Sequence, residues 1–367
     1  MMVITAVLFI ISSIGCSMTS SFWIFVISRI ICGLAVGSAA VLSPTYISEI
    51  APAEKRGTLV TYNQLAIVIG ILLAYFIDYT LVGFDNGWRY MLAVPVVFGL
   101  LFLVFLHISF PESPRWLMKV GRSDKARGIL EKLGGATYAE TEQKAMKATG
   151  TEASDSGVHV KDLFKGRIGY VVLLGTLLAA FQQITGINAV VNYAPAIFLK
   201  TGVGSDTALL QSIIVGFVNF LFTIVAVRLV DRSGRKTLLT WGAAGMTISL
   251  VYLSIAFNAS GLGVLISLLA YIAFFAASLA PVMWVVTSEI YPTRIRGVAM
   301  SFSTAISWIF TLIVVQFFPW MLSHLGGAIS FGLFAFFSLL ALIFIIFFIP
   351  ETKGKSLEQI QKDLKLN

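Results

Sequence analysis

The sequence predicts an all-α membrane protein of ten spanning helices, and three observations predict it. The chain is 57% hydrophobic and only 12% charged, about half the charged share of a soluble domain. Apolar runs of roughly 20 residues recur along it, each long enough to cross the hydrocarbon core as a helix. Lys and Arg gather in alternate gaps between these runs, as they do when basic loops stay on the cytoplasmic side. The ten-residue alternation of a membrane β-barrel is absent.

The runs are 2–19, 22–42, 59–80, 88–109, 168–199, 208–229, 237–257, 262–287, 298–322 and 327–349. No basic n-region precedes the first, so it reads as a span and not as a cleavable signal peptide. The second carries Arg29 inside apolar sequence. The fifth is overlong for one crossing and is a candidate for a broken helix, with Gly186 mid-segment. Between the fourth and fifth runs lies the longest hydrophilic stretch. There RSDKARGILEKLGG (122–135) predicts a short amphipathic helix ended by glycines. The polar, weakly periodic sequence after it is expected to become mobile toward its C-terminal part. Beyond the last run, Ser356 with Gln359 three residues on has capping-box spacing and predicts a surface helix.

A formal charge of +8 invites a nucleic-acid partner, but its distribution argues for a lipid bilayer instead. Lys55, Arg56, the basic residues from Arg115 to Arg167, Arg232, Arg235, Lys236, Arg294, Arg296 and the tail lysines fall in one alternate set of gaps. The other set holds little beyond Arg89 and Lys200. The pattern puts both termini in the cytoplasm. Cys16 and Cys32 sit in spans as small embedded residues, and His107, His159 and His324 are scattered without ligand spacing. No P-loop, nucleophile motif or paired catalytic carboxylate appears. Neither an enzyme nor a metal or cofactor is expected.

The chain repeats itself. SEIAPAEKRG (48–57) recurs as SEIYPTRIRG (288–297), and each copy is followed by two apolar spans and then by PES at Pro111 or PET at Pro350. Parallel repeats of this kind are a transporter architecture. DRSGRK begins at Asp231, 57 residues before the second SEI copy. The same offset from the first copy falls about nine residues upstream of Met1. Six spans follow one pattern and four the other. The simplest reading is a twelve-helix protein lacking its first two helices, with no transport expected from these residues alone.

FQQITGINAVVNYAP (181–195) places Gln182, Gln183, Asn188 and Asn192 inside an apolar run. Polar groups in a span are costly and normally face the bundle interior or a water-filled cavity. A carboxamide has two donors and two acceptor lone pairs, so neutral amides can replace a sugar's water shell without burying net charge. An ion or peptide carrier would show more buried charge. The bland alternative is hydrogen bonding between helices, about 0.6 kcal/mol per contact.

RIICG at Arg29, SEIAPAEKRG, PESPRWL at Pro111, QQITGIN at Gln182, DRSGRK, APVMWVVTSEIYPTRIRG at Ala280 and PETKG at Pro350 occur in this order along essentially the whole chain. In this the chain resembles the sugar porters of the major facilitator superfamily, the group of bacterial xylose–proton symporters and facilitative glucose transporters. The resemblance implies two helical lobes around a central site, joined by a cytoplasmic helical segment. It divides the chain into an N-terminal lobe at 1–110 (family helices 3–6), a linker at 111–166, a C-terminal lobe at 167–349 (family helices 7–12) and a tail at 350–367. It implies that Gln64, Gln182, Gln183, Asn188, Asn219 and Trp284 contact sugar, with the indole covering the apolar sugar face.

There are departures from the family pattern. APVMW stands where the family reads GPxPW, and Ala276 stands near a position many glucose transporters fill with glutamate. Ser307, beside Trp308, replaces a longer amide, which puts hexose against pentose preference in question. Glu49, Arg56, Asp231, Arg235, Glu289 and Arg296 are implied to form an inter-lobe salt-bridge latch on the cytoplasmic side, with Glu112 and Arg115 tying in the linker. Arg29 is implied to pair with an aspartate of the family's first helix, which favours proton symport. A passive uniporter, a cyclitol or polyol carrier, a non-transporting sugar sensor and an inactive fragment stand as alternatives. A monomer is expected.

Overall fold

All ten apolar runs become helix in the structure, a computed structural model that describes residues 1–50, 56–152, 163–164, 166–202, 204–257, 261–292 and 295–353. Among the described residues there are fourteen helices and no strand. Nine segments of the described residues are long and apolar enough to cross a membrane, and a further apolar helix, Met2–Met18, has 17 residues. Trp23, Trp241, Ile248 and Phe347 are each at least 70% exposed, while Gln182, Gln183, Thr185 and Asn219 are buried. This inverts the pattern of soluble proteins and is what a lipid surround requires: the chain is a multi-pass membrane protein. Two compact units divide it, Met1–Asn63 with Thr80–Gly157, and Gln64–Tyr79 with Val158–Asn367.

The first unit holds α1 (Met2–Met18), α2 (Phe22–Ile50), the first residues of α3 (Arg56–Leu81), α4 (Gly87–Ser109), α5 (Pro114–Lys119) and α6 (Ser123–Glu152). Here α1 packs against both α2 and α4. Lipid gives helices no hydrophobic drive toward one another, so close approach of small residues carries the contact. A Cβ on Gly15 would lie 2.3 Å from Ser28 Oγ, and one on Gly99 would lie 2.6 Å from Ile10 Cγ1. Arg89 donates to the Ser17 carbonyl at 2.9 Å, satisfying a last-turn acceptor of α1. The expected linker helix forms as the first part of α6 and is interrupted at Gly135, whose φ of 83° suits glycine. Helix then resumes to Glu152, where the weak periodicity gave no sign of it. Residues 153–162 lie outside the described set.

The second unit holds residues 64–79 of α3, then α7 (Gly166–Ile184), α8 (Ile187–Lys200), α9 (Ser205–Ser233), α10 (Arg235–Ala256), α11 (Gly261–Ala277), α12 (Leu279–Ile290), α13 (Arg296–His324) and α14 (Gly326–Phe348). In this unit α10 packs against α14 and α11, α7 against α13, and α9 against α11 and α8. The overlong fifth run is broken between α7 and α8. A second break was not legible: the run expected as one helix over 262–287 is split at Ser278, with φ −133° and ψ −84°. Pro281 has no N–H to return to the Ala277 carbonyl, and Ser278 Oγ donates to the Phe274 carbonyl at 2.6 Å. The expected tail helix falls in residues 354–367, outside the described set.

Candidate functional site

The break between α7 and α8 gathers the amides. Gly186 takes φ 95° there, and a Cβ on it would lie 2.5 Å from the buried Phe334 ring. The Tyr271 hydroxyl of α11, fully buried, donates to the Thr185 carbonyl at 3.0 Å, beside the break.

From this point the side chains form a directed chain of hydrogen bonds. Asn188 Nδ2 donates to Gln183 Oε1. Gln183 Nε2 donates to Gln182 Oε1 at 3.0 Å. Gln182 Nε2 donates to the carbonyls of Leu279 and Ala280, at 2.9 and 3.3 Å. The first turn of α12 therefore anchors the chain, and Trp284 stands one turn beyond Ala280, half-buried. At the other end Asn188 Nδ2 also reaches Thr311 Oγ1 of α13 at 3.5 Å, and Thr311 donates to the Ser307 carbonyl at 3.0 Å.

Of the candidates from sequence, Gln182, Gln183 and Asn188 are brought into direct contact. Gln182 is largely committed to the α12 backbone, the hydrogen bonding between helices that stood as the alternative to sugar contact. Asn219 is buried in α9, Ser307 is buried in α13, and Gln64 is half-buried in α3. Trp308 is 46% exposed and outside the amide chain. Asn192 turns its Nδ2 back to the Asn188 carbonyl at 2.7 Å. Thr311 was missed, although its position one turn after Ser307 was a usable signal.

The charged motifs are partly visible. Arg235 Nη2 pairs with Glu289 Oε1 at 3.3 Å, linking the start of α10 to the end of α12. Glu289 Oε2 is buried with no hydrogen-bond partner among the described residues. Arg296 Nε donates to the Tyr291 carbonyl at 3.2 Å, and Glu112 is exposed. The side chains of Glu49, Arg56, Arg115 and Asp231 lie outside the described set.

A stronger feature was missed. Glu351 accepts from the backbone amides of Arg235 at 2.9 Å and Lys236 at 3.1 Å, the first residues of α10. It also accepts from Thr352 and Lys353. A carboxylate at a helix N-terminus meets both unsatisfied N–H groups and the positive end of the helix dipole. Burial pushes its pKa up, but the amide donors outweigh that and hold it below the usual glutamate range.

Arg29 is exposed on α2 beside a cavity of about 50 Å³ lined by Ser12, Ser13, Cys16 and Cys32. It has no acidic partner among the described residues.

Comparison with known proteins agrees with this architecture. The family model described as "Sugar (and other) transporter" matches residues 1–364. The D-xylose-proton symporter of Escherichia coli (strain K12) is 42% identical over 352 residues, covering 92% of this chain and 71% of that protein. The glucose transporter GlcP of Staphylococcus epidermidis is 38% identical over 370 residues, covering 100% of this chain and 82% of that protein. A solved structure of the major facilitator superfamily proton:xylose symporter XylE, bound to 6-bromo-6-deoxy-D-glucose, superposes with TM-score 0.85 at 40% identity. That match covers 99% of this chain and 82% of the other. With the amide chain at a broken helix and a family match along nearly its whole length, the chain belongs to the sugar (and other) transporter family of the major facilitator superfamily.

Proposed function

We propose that the protein carries a neutral pentose or hexose across the bilayer by alternating access, in symport with protons. The observation that carries this reading is the directed chain from Asn188 through Gln183 to Gln182. When empty, the amides satisfy one another, which avoids leaving buried polar groups unpaired. A sugar hydroxyl both donates and accepts, so it can insert between Asn188 and Gln183 and replace one hydrogen bond by two. Gln183 keeps one N–H, and Asn188 its Oδ1, for further hydroxyls. Trp284, Asn219, Gln64, Ser307 and Trp308 complete the proposed sugar contacts. The names of relatives that carry xylose and glucose support both sugar classes.

The lobes are those of 1–110 and 167–349, with both termini cytoplasmic and the protein monomeric. Glu289, whose second oxygen has no hydrogen-bond partner among the described residues, accepts a cation from the other lobe when the cytoplasmic side closes. Glu49, Arg56, Asp231, Arg235 and Arg296 share that latch, and Glu112 and Arg115 tie in the linker. Arg29 is the fixed positive charge of proton coupling.

In calorimetry with D-xylose and D-glucose, Gln183→Ala is expected to weaken binding by about tenfold, the cost of hydroxyls left unpaired in a confined site. Unchanged affinity would remove Gln183 from the site. In proteoliposomes, transport by a chain that also supplies the family's first two helices is expected to rise with an inward proton gradient and collapse with an uncoupler. Equilibration indifferent to the gradient would make the protein a uniporter and Arg29 structural.

A further inference from the structure

Besides Pro281 in the first turn of α12, two prolines lie deeper inside described helices of the second unit, Pro195 in α8 and Pro319 in α13. A proline has no N–H, so each deprives the carbonyl four residues earlier of its helical donor. Those carbonyls belong to Val191 and Val315. Each receives a tyrosine hydroxyl from a different helix. Tyr75 of α3 donates to Val191, and Tyr193 of α8 donates to Val315 at 3.3 Å. The half-helix α8, which carries Asn188, is therefore fastened on both sides through backbone acceptors that its own and its neighbour's prolines expose.

We propose that Tyr75 is a positioning residue for sugar binding: its hydroxyl replaces the amide that Pro195 cannot supply and holds α8 at the angle that keeps Asn188 on Gln183. This rests on the reading that Asn188 meets the sugar. The Tyr75 ring is placed for the task. It packs on Gly216 of α9, where a Cβ would lie 2.9 Å from its Cδ2, so a larger residue at 216 would push the ring aside. The held segment is also the one that needs holding. Tyr193 lies two residues beyond Val191 with φ −114° and ψ 18°, outside helical geometry. Between Val191 and Pro195 the half-helix has lost a ladder bond and is bent, so an external donor decides its angle. A tyrosine at 75 does what an amide at 195 would do in an unbroken helix, but from another element. Movement of α8 relative to α3 must break that bond, whereas an intrahelical bond would travel with α8.

The test is a double-variant cycle read by hydrogen–deuterium exchange of α8 peptides, with sugar binding measured in parallel. Tyr75→Phe is expected to raise exchange across α8 by about tenfold, the effect of one buried acceptor left unmet. It should also weaken D-xylose or D-glucose binding several-fold. Pro195→Ala returns an amide to Val191 within its own helix. In that background Tyr75→Phe should change α8 exchange by less than about twofold, since the carbonyl is already satisfied. Equal effects in both backgrounds, or α8 exchange unmoved by Tyr75→Phe, would overturn the proposal. If Tyr75→Phe alone does not fold, folding of the double variant supports the proposal, and failure of the double variant beside a folded Pro195→Ala refutes it. Exchange is read without sugar. A wild type that binds neither sugar but shows the expected cycle would overturn the sugar assignment and leave the tie between α3 and α8 standing.

Discussion

Gly186→Ala is expected to lower stability by about 2–5 kcal/mol and to abolish sugar binding, from left-handed backbone strain and overpacking together. Gly186 has φ 95°, a conformation that costs an L-residue with a Cβ about 1–2 kcal/mol. A Cβ there would also sit 2.5–2.7 Å from three carbons of Phe334. That ring is 4% exposed and stacks on Phe318 at 5.8 Å, so it has nowhere to move. The strain falls between Gln183 and Asn188, whose hydrogen bond spans the break. Gly202 supplies the control. It has φ 85°, but a Cβ there would meet nothing within 4 Å. Gly202→Ala reports strain alone, and the difference between the two variants reports the clash with Phe334. Thermal unfolding and calorimetry in detergent measure both. Equal losses at the two positions would show that the packing of the break does not matter.

The spans were legible because lipid imposes one simple demand, a long apolar helix, and among the described residues nine segments meet it, with the shorter apolar helix Met2–Met18 beside them. The α7–α8 break was legible for a related reason: a segment too long for one crossing, with a glycine near its middle. The break at Ser278 was not. Serine is ordinary in a span, and Pro281 stands three residues past the break, so neither residue marks it alone. That miss hid a second feature. Gln182 donates to the carbonyls of Leu279 and Ala280, at the start of α12, where the break sets the second half-helix beside α7. A glutamine in a sugar-porter motif reads from sequence as a sugar ligand. Its use as a strut became visible only with α12 beside it. The carboxamide cluster itself was legible, since four amides in an apolar run demand partners. Which amide meets which depends on contacts across helices, such as the 123-residue separation between Asn188 and Thr311. The same limit applied to Glu351. PET marked the end of a repeat, but the amides that Glu351 caps lie 115 and 116 residues earlier.

Glu351→Ala is expected to cost about 3 kcal/mol, since it strips a charged acceptor from two amides of the first turn of α10 and removes a negative charge from the helix's positive end. The same carboxylate orders the chain that follows α14, where Lys353 Nζ reaches back to the Arg232 carbonyl at 2.6 Å. Its loss should therefore loosen the contact between the α9–α10 junction and the residues that follow α14. Glu351→Gln separates charge from shape. Glutamine keeps one oxygen acceptor but presents an NH₂ group to an amide donor, so it should recover only part of the stability. The pH dependence follows from the direction of the shift. The folded pKa lies below the usual glutamate value, so the stabilisation is fully present above that usual value, about 4.3. It is lost as pH falls through the depressed folded value. The melting temperatures of wild type and Glu351→Gln should therefore stay separated by a constant interval from neutral pH down to about 5, and converge only in the more acidic range where the wild-type carboxyl takes up its proton. A gap that closes between pH 7 and 5 would mean that another group supplies the pH dependence. No gap at any pH would mean that the α10 amides find water as readily as Glu351.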